Sequence, residues 1–192
     1  ISDRVVAAGG GAVLGEIPEM FGAEQIMLNK SKDETVFGKF EKMISDFKKG
    51  YIEQGFPVYE NPSPGNRQGG ITTLEEKSLG CVEKAGHGQV SDVLDYGERV
   101  RETGGVTVLN TPGNDLIAAT AIAAAGCQLV LFTTGRGTPF STFVPTMKIA
   151  SNDRLVDDKE KWIDFGAYGM DEEGLFSLLL PVSYTHPEPT RP

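Results

Sequence analysis

The chain has 192 residues, with 27 acidic against 18 basic side chains, for a formal net charge of −9. That balance disfavours a general nucleic-acid or anionic-membrane binder, because nothing on the surface offsets phosphate repulsion, although one local cationic site is compatible with it. The 24 glycines carry no collagen period, so they mark many turns and close backbone approaches, the raw material of a small-molecule site. The N-terminus ISDRVV has neither an initiator Met nor a signal pattern and reads as the middle of a larger protein. No apolar run is long enough to suggest a membrane span. Cys81 and Cys127 read as small buried thiols, and with His87 and His186 they match no zinc spacing. A cytoplasmic setting follows as the default.

In chain order, Val5–Ala8 reads as a helix end closed by Gly9, Gly10 and Gly11. Ala12–Ile17 reads as a short buried strand with Glu16 at its end. Pro18 suits the first turn of a helix reaching Asn29. Ser31-Lys32-Asp33-Glu34 has capping-box spacing. The helix after it carries one apolar stripe of Val36, Phe37, Phe40, Met43, Ile44, Phe47 and Tyr51, with Lys39, Lys42, Lys48 and Lys49 on a solvated face. The stretch Phe56–Gly70, FPVYENPSPGNRQGG, is a long Pro- and Gly-rich loop with Asn66 and Arg67 at its tip. It feeds a helix towards Ala85 that opens on the capping box Thr73–Glu76, a geometry suited to a carboxylate. The helix dipole accounts for Glu75 and Glu76 without catalysis.

Val106–Leu109 reads as a strand, 111–115 as a turn, Leu116–Ala125 as an Ala-rich helix, and Gln128–Phe132 as a second strand. This predicts a β-α-β unit with parallel strands and a right-handed crossover. Val144–Ala150 and Trp162–Phe165 are further strand candidates. The expected fold is α/β: a mostly parallel, Rossmann-like sheet with helices on both faces, in three layers. Ligands of such sheets bind beyond the carboxyl ends of the strands. Three polar turns fall there: at Glu16, at 111–115 (TPGND) and at 133–139 (TTGRGTP).

In the last of these, two glycines flank Arg136, and three threonines add hydroxyls around a guanidinium that can grip a carboxylate in bidentate fashion. A tight loop with a surface arginine is the alternative. Asn114 and Asp115 either cap the next helix or contact ligand. Glu16 suits a metal ligand or a base, with a plain helix-start acid before Pro18 as an equal rival. His87 reads as a surface-loop residue. No dinucleotide fingerprint, P-loop or nucleophile elbow is present, which disfavours nucleotide binding.

Taken together, the segments at 60–80 (ENPSPGNRQGGITTLEEKSLG), 109–139 (LNTPGNDLIAATAIAAAGCQLVLFTTGRGTP) and 144–152 (VPTMKIASN) resemble the altronate/galactarate dehydratase family. The stretches 16–25 (EIPEMFGAEQ) and 161–169 (KWIDFGAYG) fit the same pattern, and PVYENPSPGN followed by GGITTLEEKSLG is more like the altronate branch. The sulfolactate sulfo-lyase large subunit shares the architecture and stays a rival, as does a non-catalytic sugar-acid-binding piece.

The resemblance implies a hydro-lyase that converts D-altronate to 2-keto-3-deoxy-D-gluconate in hexuronate breakdown, with Fe2+ or Mn2+ as cofactor. Carried over by position, it makes Glu16 a metal ligand or base and adds Asp115 and Lys77 as catalytic candidates. Asn66, Thr73, Asn114, Thr133, Thr134, Arg136 and Thr138 become substrate-binding candidates, with the substrate carboxylate at the Arg136 loop. The implied partners are a small sugar acid, an N-terminal domain that this chain lacks, and a second copy in a homo-oligomer. A Cys-Gly-Gly-Ser-Asp type motif expected upstream is absent, and Ser141 stands where the family pattern has a glycine. The expected organisation is a dehydratase-like domain over 1–180. Residues 181–192 (PVSYTHPEPTRP) form a tail outside the family pattern.

Overall fold

A computed structural model describes residues 1–58, 62, 64–68 and 70–177. The tail expected at 181–192, with His186, and part of the Pro/Gly loop lie outside the described residues. The chain divides into two compact units, Ser2–Gly126 and Cys127–Pro192 with Ile1.

In the first unit, α1 (Ser2–Ala7) leads into β1 (Ala12–Leu14), a 3-10 turn (Ile17–Met20), α2 (Glu24–Leu28) and α3 (Glu34–Glu53). Then come α4 (Pro64–Gln68), α5 (Leu74–Glu83), β2 (Val90–Leu94), β3 (Val106–Leu109) and α6 (Asp115–Ala124). The strands form a parallel sheet in the order β1-β3-β2, pairing Leu14 with Val108 and Val93 with Val108. The register shifts between Val90 and Asp92, a bulge in β2.

Side-chain alternation sends successive strand residues to opposite faces. Leu14, Val90, Val93, Val106 and Val108 join the larger core with Phe21, Met27, Phe40, Ile44 and Val82. On the other face Val13, Leu94 and Leu109 pack with Ala121 and Ile122 from α6 and with Ala125 at its end. Helices therefore cover both faces, as the α/β reading expects. Among the described residues no helix is long and apolar enough to cross a membrane.

The apolar stripe of α3 is realised, with Val36, Phe40, Met43 and Ile44 buried. Its N-cap is Asp33, however, whose side chain accepts from Val36 N at 2.9 Å. Ser31 does not cap: it bridges to Val90, and its hydroxyl is buried without a hydrogen bond among the described residues. Asp33→Ala should lower stability by about 1 kcal/mol, read as a fall in the urea midpoint at unchanged slope. The lysine face also departs from its expectation at one position. Lys48 pairs with Glu24, and its ammonium lies 5.1 Å from the Phe21 ring centroid, a cation–π contact at the edge of the core.

Three expectations of chain path are corrected. The strand at 12–17 stops at Leu14, because Glu16 takes a left-handed conformation (φ 59°) that no strand accommodates. The helix expected through Asn29 is broken into the 3-10 turn and α2, with Gly22 at φ 99° between them. The predicted β-α-β pair is not formed: β3 pairs with β1 and β2, while β4 (Val130–Thr134) pairs with β5 (Thr146–Ala150). No local pattern in the sequence marks β2.

In the second unit, β4, β5 and β6 (Phe165–Gly166) form a parallel sheet in that order. Between β5 and β6 lie α7 (Asp153–Asp158) and a 3-10 turn (Glu160–Trp162). Met147 and Ile149 on central β5 pack with Leu131 and Phe165, while Ala150 packs with Leu155 and Ile163.

Candidate active site at the strand ends

Gly15 directly follows β1, where a Cβ would lie 2.6 Å from Thr111 Oγ1 and 3.3 Å from Ile122 Cδ1. Glycine is thus what lets the chain pass the loop after β3. The next peptide is locked there: Glu16 N–H donates to the hydroxyl of fully buried Thr111 at 2.6 Å, and Ile17 N–H to the Thr111 carbonyl at 3.1 Å. Glu16 is the one non-glycine residue with positive φ among the described residues. A left-handed glutamate costs on the order of 1–3 kcal/mol, and such strain clusters where a side chain must be aimed.

Its carboxylate lies 3.4 Å from Lys84 Nζ at the C-terminal end of α5. Glu19, in the 3-10 turn, has Oε2 at 3.1 Å from Lys77 Nζ. That contact is an ion pair by distance but lacks hydrogen-bond alignment, so Glu19 Oε2 is a buried acceptor without a hydrogen-bond donor among the described residues. Lys77 and Lys84 are two helical turns apart, so one face of α5 presents both.

Buried Cys81 sits between them, and burial pushes its thiol up to about 11. It is a packed thiol rather than a nucleophile, as the sequence suggested. Burial opposes the charge of Lys84, but Glu16, Cys81 and Glu19 outweigh it and hold the ammonium above the usual lysine value.

Asp115 opens α6 beside this cluster. Burial, followed by the charge of Glu16, pushes its carboxyl above the usual range, while Lys77 and Lys84 pull the other way. A carboxyl whose folded pKa is raised destabilises the native state once pH exceeds the unfolded value, and fully so above the folded one. Asp115→Asn should therefore raise the melting temperature at pH 7, with the gain vanishing as pH falls below the unfolded aspartate range.

Glu16, Lys77 and Asp115 are thus brought together, and Glu19, Lys84 and Thr111 join them. The last three were not singled out from sequence, although the three-residue spacing of the glutamates and the seven-residue spacing of the lysines were visible. Other candidates hold helix starts. Asn114 Oδ1 accepts from Ile117 N at 3.2 Å, which is the capping role. The Thr73 hydroxyl accepts from Glu76 N at 3.1 Å, while the Glu76 carboxylate receives Thr72 and Thr73 N–H, a complete capping box. Asn66 is half-buried within α4. His87 is exposed, with Nδ1 at 2.9 Å from Asp3, as a surface-loop histidine should be.

Thr133, Thr134, Arg136 and Thr138 belong to the second unit. Thr133 and Thr134 end β4, and the Thr134 hydroxyl accepts from Arg136 N at 3.3 Å and Gly137 N at 2.9 Å. Arg136 and Thr138 lie in the loop that follows, and the arginine is exposed.

A metal fits these residues poorly. Among the described residues no three His, Cys, Asp or Glu side chains gather as ligands, and Glu16 and Glu19 each face a lysine. The described residues do not by themselves supply an Fe2+ or Mn2+ centre.

Parallel strands, helices on both faces of a sheet, and a mixed acid–base cluster where β1 and β3 end define an α/β protein with charged side chains gathered at its strand ends. Comparison with known proteins narrows that class. Residues 1–174 match the family described as D-galactarate/altronate dehydratase, C-terminal. The chain is 61% identical over 185 residues to the altronate dehydratase of Bacillus subtilis (strain 168), covering 96% of this chain and 37% of that protein. It is 57% identical over 166 residues to the altronate dehydratase of Escherichia coli (strain K12), covering 86% and 33%. The galactarate dehydratase (L-threo-forming) of Escherichia coli (strain K12) is 32% identical over 165 residues, covering 85% and 31%. The chain belongs to the D-galactarate/altronate dehydratase family, and it spans about a third of the length of these relatives.

Proposed function

We propose that the complete protein is a sugar-acid hydro-lyase that converts D-altronate to 2-keto-3-deoxy-D-gluconate, and that this chain supplies acid–base groups for it. The carrying observation is the cluster of Glu16, Glu19, Lys77, Lys84 and Asp115 at the strand ends, in a chain with its highest quoted identities to altronate dehydratases. The reaction must remove a weakly acidic proton from C2, expel the C3 hydroxyl as water, and let the resulting enol become the keto acid. Glu16, aimed by its left-handed backbone, takes the C2 proton. Asp115, whose carboxyl is held above the usual aspartate range beside Glu16, is the group placed to deliver a proton to the departing hydroxyl. Lys77 offers positive charge to the developing enediolate. Glu19, its Oε2 buried 3.1 Å from the Lys77 ammonium, holds that lysine in place in the cluster.

Within the second unit, Thr133, Thr134, Arg136 and Thr138 form a loop suited to bind a carboxylate. Thr73 and Asn114 act through the helices they cap, and Asn66 lines the Pro/Gly segment. The Fe2+ or Mn2+ implied by the resemblance would need ligands beyond the described residues, with Glu16 the one candidate ligand from this chain, and the steps assigned to this chain's side chains do not pass through it. The N-terminal domain and the homo-oligomer remain proposed partners.

The test is to assay the complete protein separately with D-altronate, galactarate and sulfolactate, following 2-keto acid and sulfite. Keto-acid formation from D-altronate in preference to the others is expected. Turnover of galactarate alone, or sulfite release, overturns the assignment.

A further inference from the structure

The loop after β4 is tied down through its carbonyl oxygens. The Thr134 carbonyl accepts from Ser151 Oγ at 3.3 Å, and that of Gly135 from Asn152 Nδ2 at 3.0 Å. The Arg136 carbonyl accepts from Lys159 Nζ at 2.7 Å, and that of Thr138 from Lys148 Nζ at 3.0 Å. The N–H groups of Arg136 and Gly137 are already taken by the Thr134 hydroxyl. These backbone bonds stay within the unit, and the arginine side chain is an exposed charge that the loop presents.

Two of the four ties are cations, and one of them is costly. Lys148 sits in the middle of central β5 at 8% exposure, where an ammonium loses most of its hydration. Its Nζ also lies 6.0 Å from the Phe140 ring centroid. The other cation needs space that only glycine leaves. Gly137 has φ 79°, and a Cβ there would lie 2.9 Å from Leu155 Cδ1 and 3.2 Å from Lys159 Cδ. Ser151 and Asn152 show that neutral donors suffice to hold a carbonyl. Two ammonium groups add something a neutral tie lacks: positive potential on a loop that already carries arginine, which an anion relieves.

We propose that Lys148 and Lys159 are positioning residues for a carboxylate on Arg136, fixing the loop by its carbonyls while raising its affinity for anions. This rests on the carboxylate-binding reading of the loop given above.

The test compares Lys159→Gln, which keeps a donor for the Arg136 carbonyl but removes the charge, with Lys148→Met, both in the complete protein. The dissociation constant of D-altronate is measured by calorimetry beside KM and kcat. Lys159→Gln should weaken D-altronate binding and raise KM by about fivefold, with kcat within about twofold and an unchanged melting temperature. Lys148→Met should weaken binding further.

Unchanged D-altronate affinity in Lys159→Gln overturns the proposal, since a purely structural tie survives that exchange. Lack of any D-altronate binding by the wild-type protein overturns it as well. If Lys148→Met fails to fold, the glutamine variant decides alone. Weakened binding in the variants of a protein that binds D-altronate without dehydrating it supports the lysine proposal and removes only the dehydratase reading.

Discussion

Glu16→Gln in the complete protein is expected to lower kcat/KM for the sugar acid by about 10²–10⁴-fold, the range for loss of a positioned general base. Glutamine keeps the size and the backbone, so the Thr111 hydroxyl still receives the residue-16 N–H. What disappears is the proton acceptor and the partner of Lys84. That ion pair is part-exposed, with Lys84 37% accessible, so its loss should cost at most about 1 kcal/mol of stability. A large kinetic loss with little thermal loss therefore separates a catalytic glutamate from a structural one. The measurement is steady-state kinetics beside a thermal melt of the same preparation. Near wild-type turnover would remove Glu16 from the mechanism and leave its strained backbone unexplained by chemistry.

The parts of this fold that were legible in the sequence are those governed by local rules. The stripe on α3 is a periodicity, and the capping box at Thr73–Glu76 is a spacing; both are realised residue for residue. The parts missed depend on distant partners. β2 reads V-S-D-V-L, too polar and too interrupted to stand out, and it is a strand because β3 pairs with it across a bulge. Glu16 looked like the last residue of a strand, since nothing local marks a left-handed glutamate. Its conformation is imposed by Thr111, 95 residues away. Lys84 and Glu19 were passed over for the same reason: a lysine at a helix end and a glutamate after a proline each have ordinary surface explanations. Only the packing of α5 against the Ile17–Met20 turn makes them a charged cluster. The β3-α6-β4 expectation failed because alternation of strand and helix specifies parallel pairing without saying which strands pair.

Arg136→Ala should raise KM for the sugar acid by about 10²-fold, as expected when a charge-assisted bidentate contact to a carboxylate is lost. The side chain is exposed, and the loop is held by its backbone, through the Thr134 hydroxyl and the carbonyl ties to Ser151, Asn152, Lys159 and Lys148. Removing the guanidinium therefore leaves the loop's fixing intact, and stability should shift by no more than about 0.5 kcal/mol. Arg136→Lys is the sharper variant. Lysine keeps the charge but loses the planar fork, so full recovery of KM would mean that the loop supplies only positive potential. Recovery of less than half the loss, in free energy, would mean that fork geometry orients the carboxylate. The contrast with Glu16 lies in which constant moves. A binding residue that acts equally on ground and transition states changes KM and spares kcat, whereas a base changes kcat. If Arg136→Ala instead lowered kcat with KM unchanged, the loop would belong to the chemical step, and the carboxylate would have to be held elsewhere.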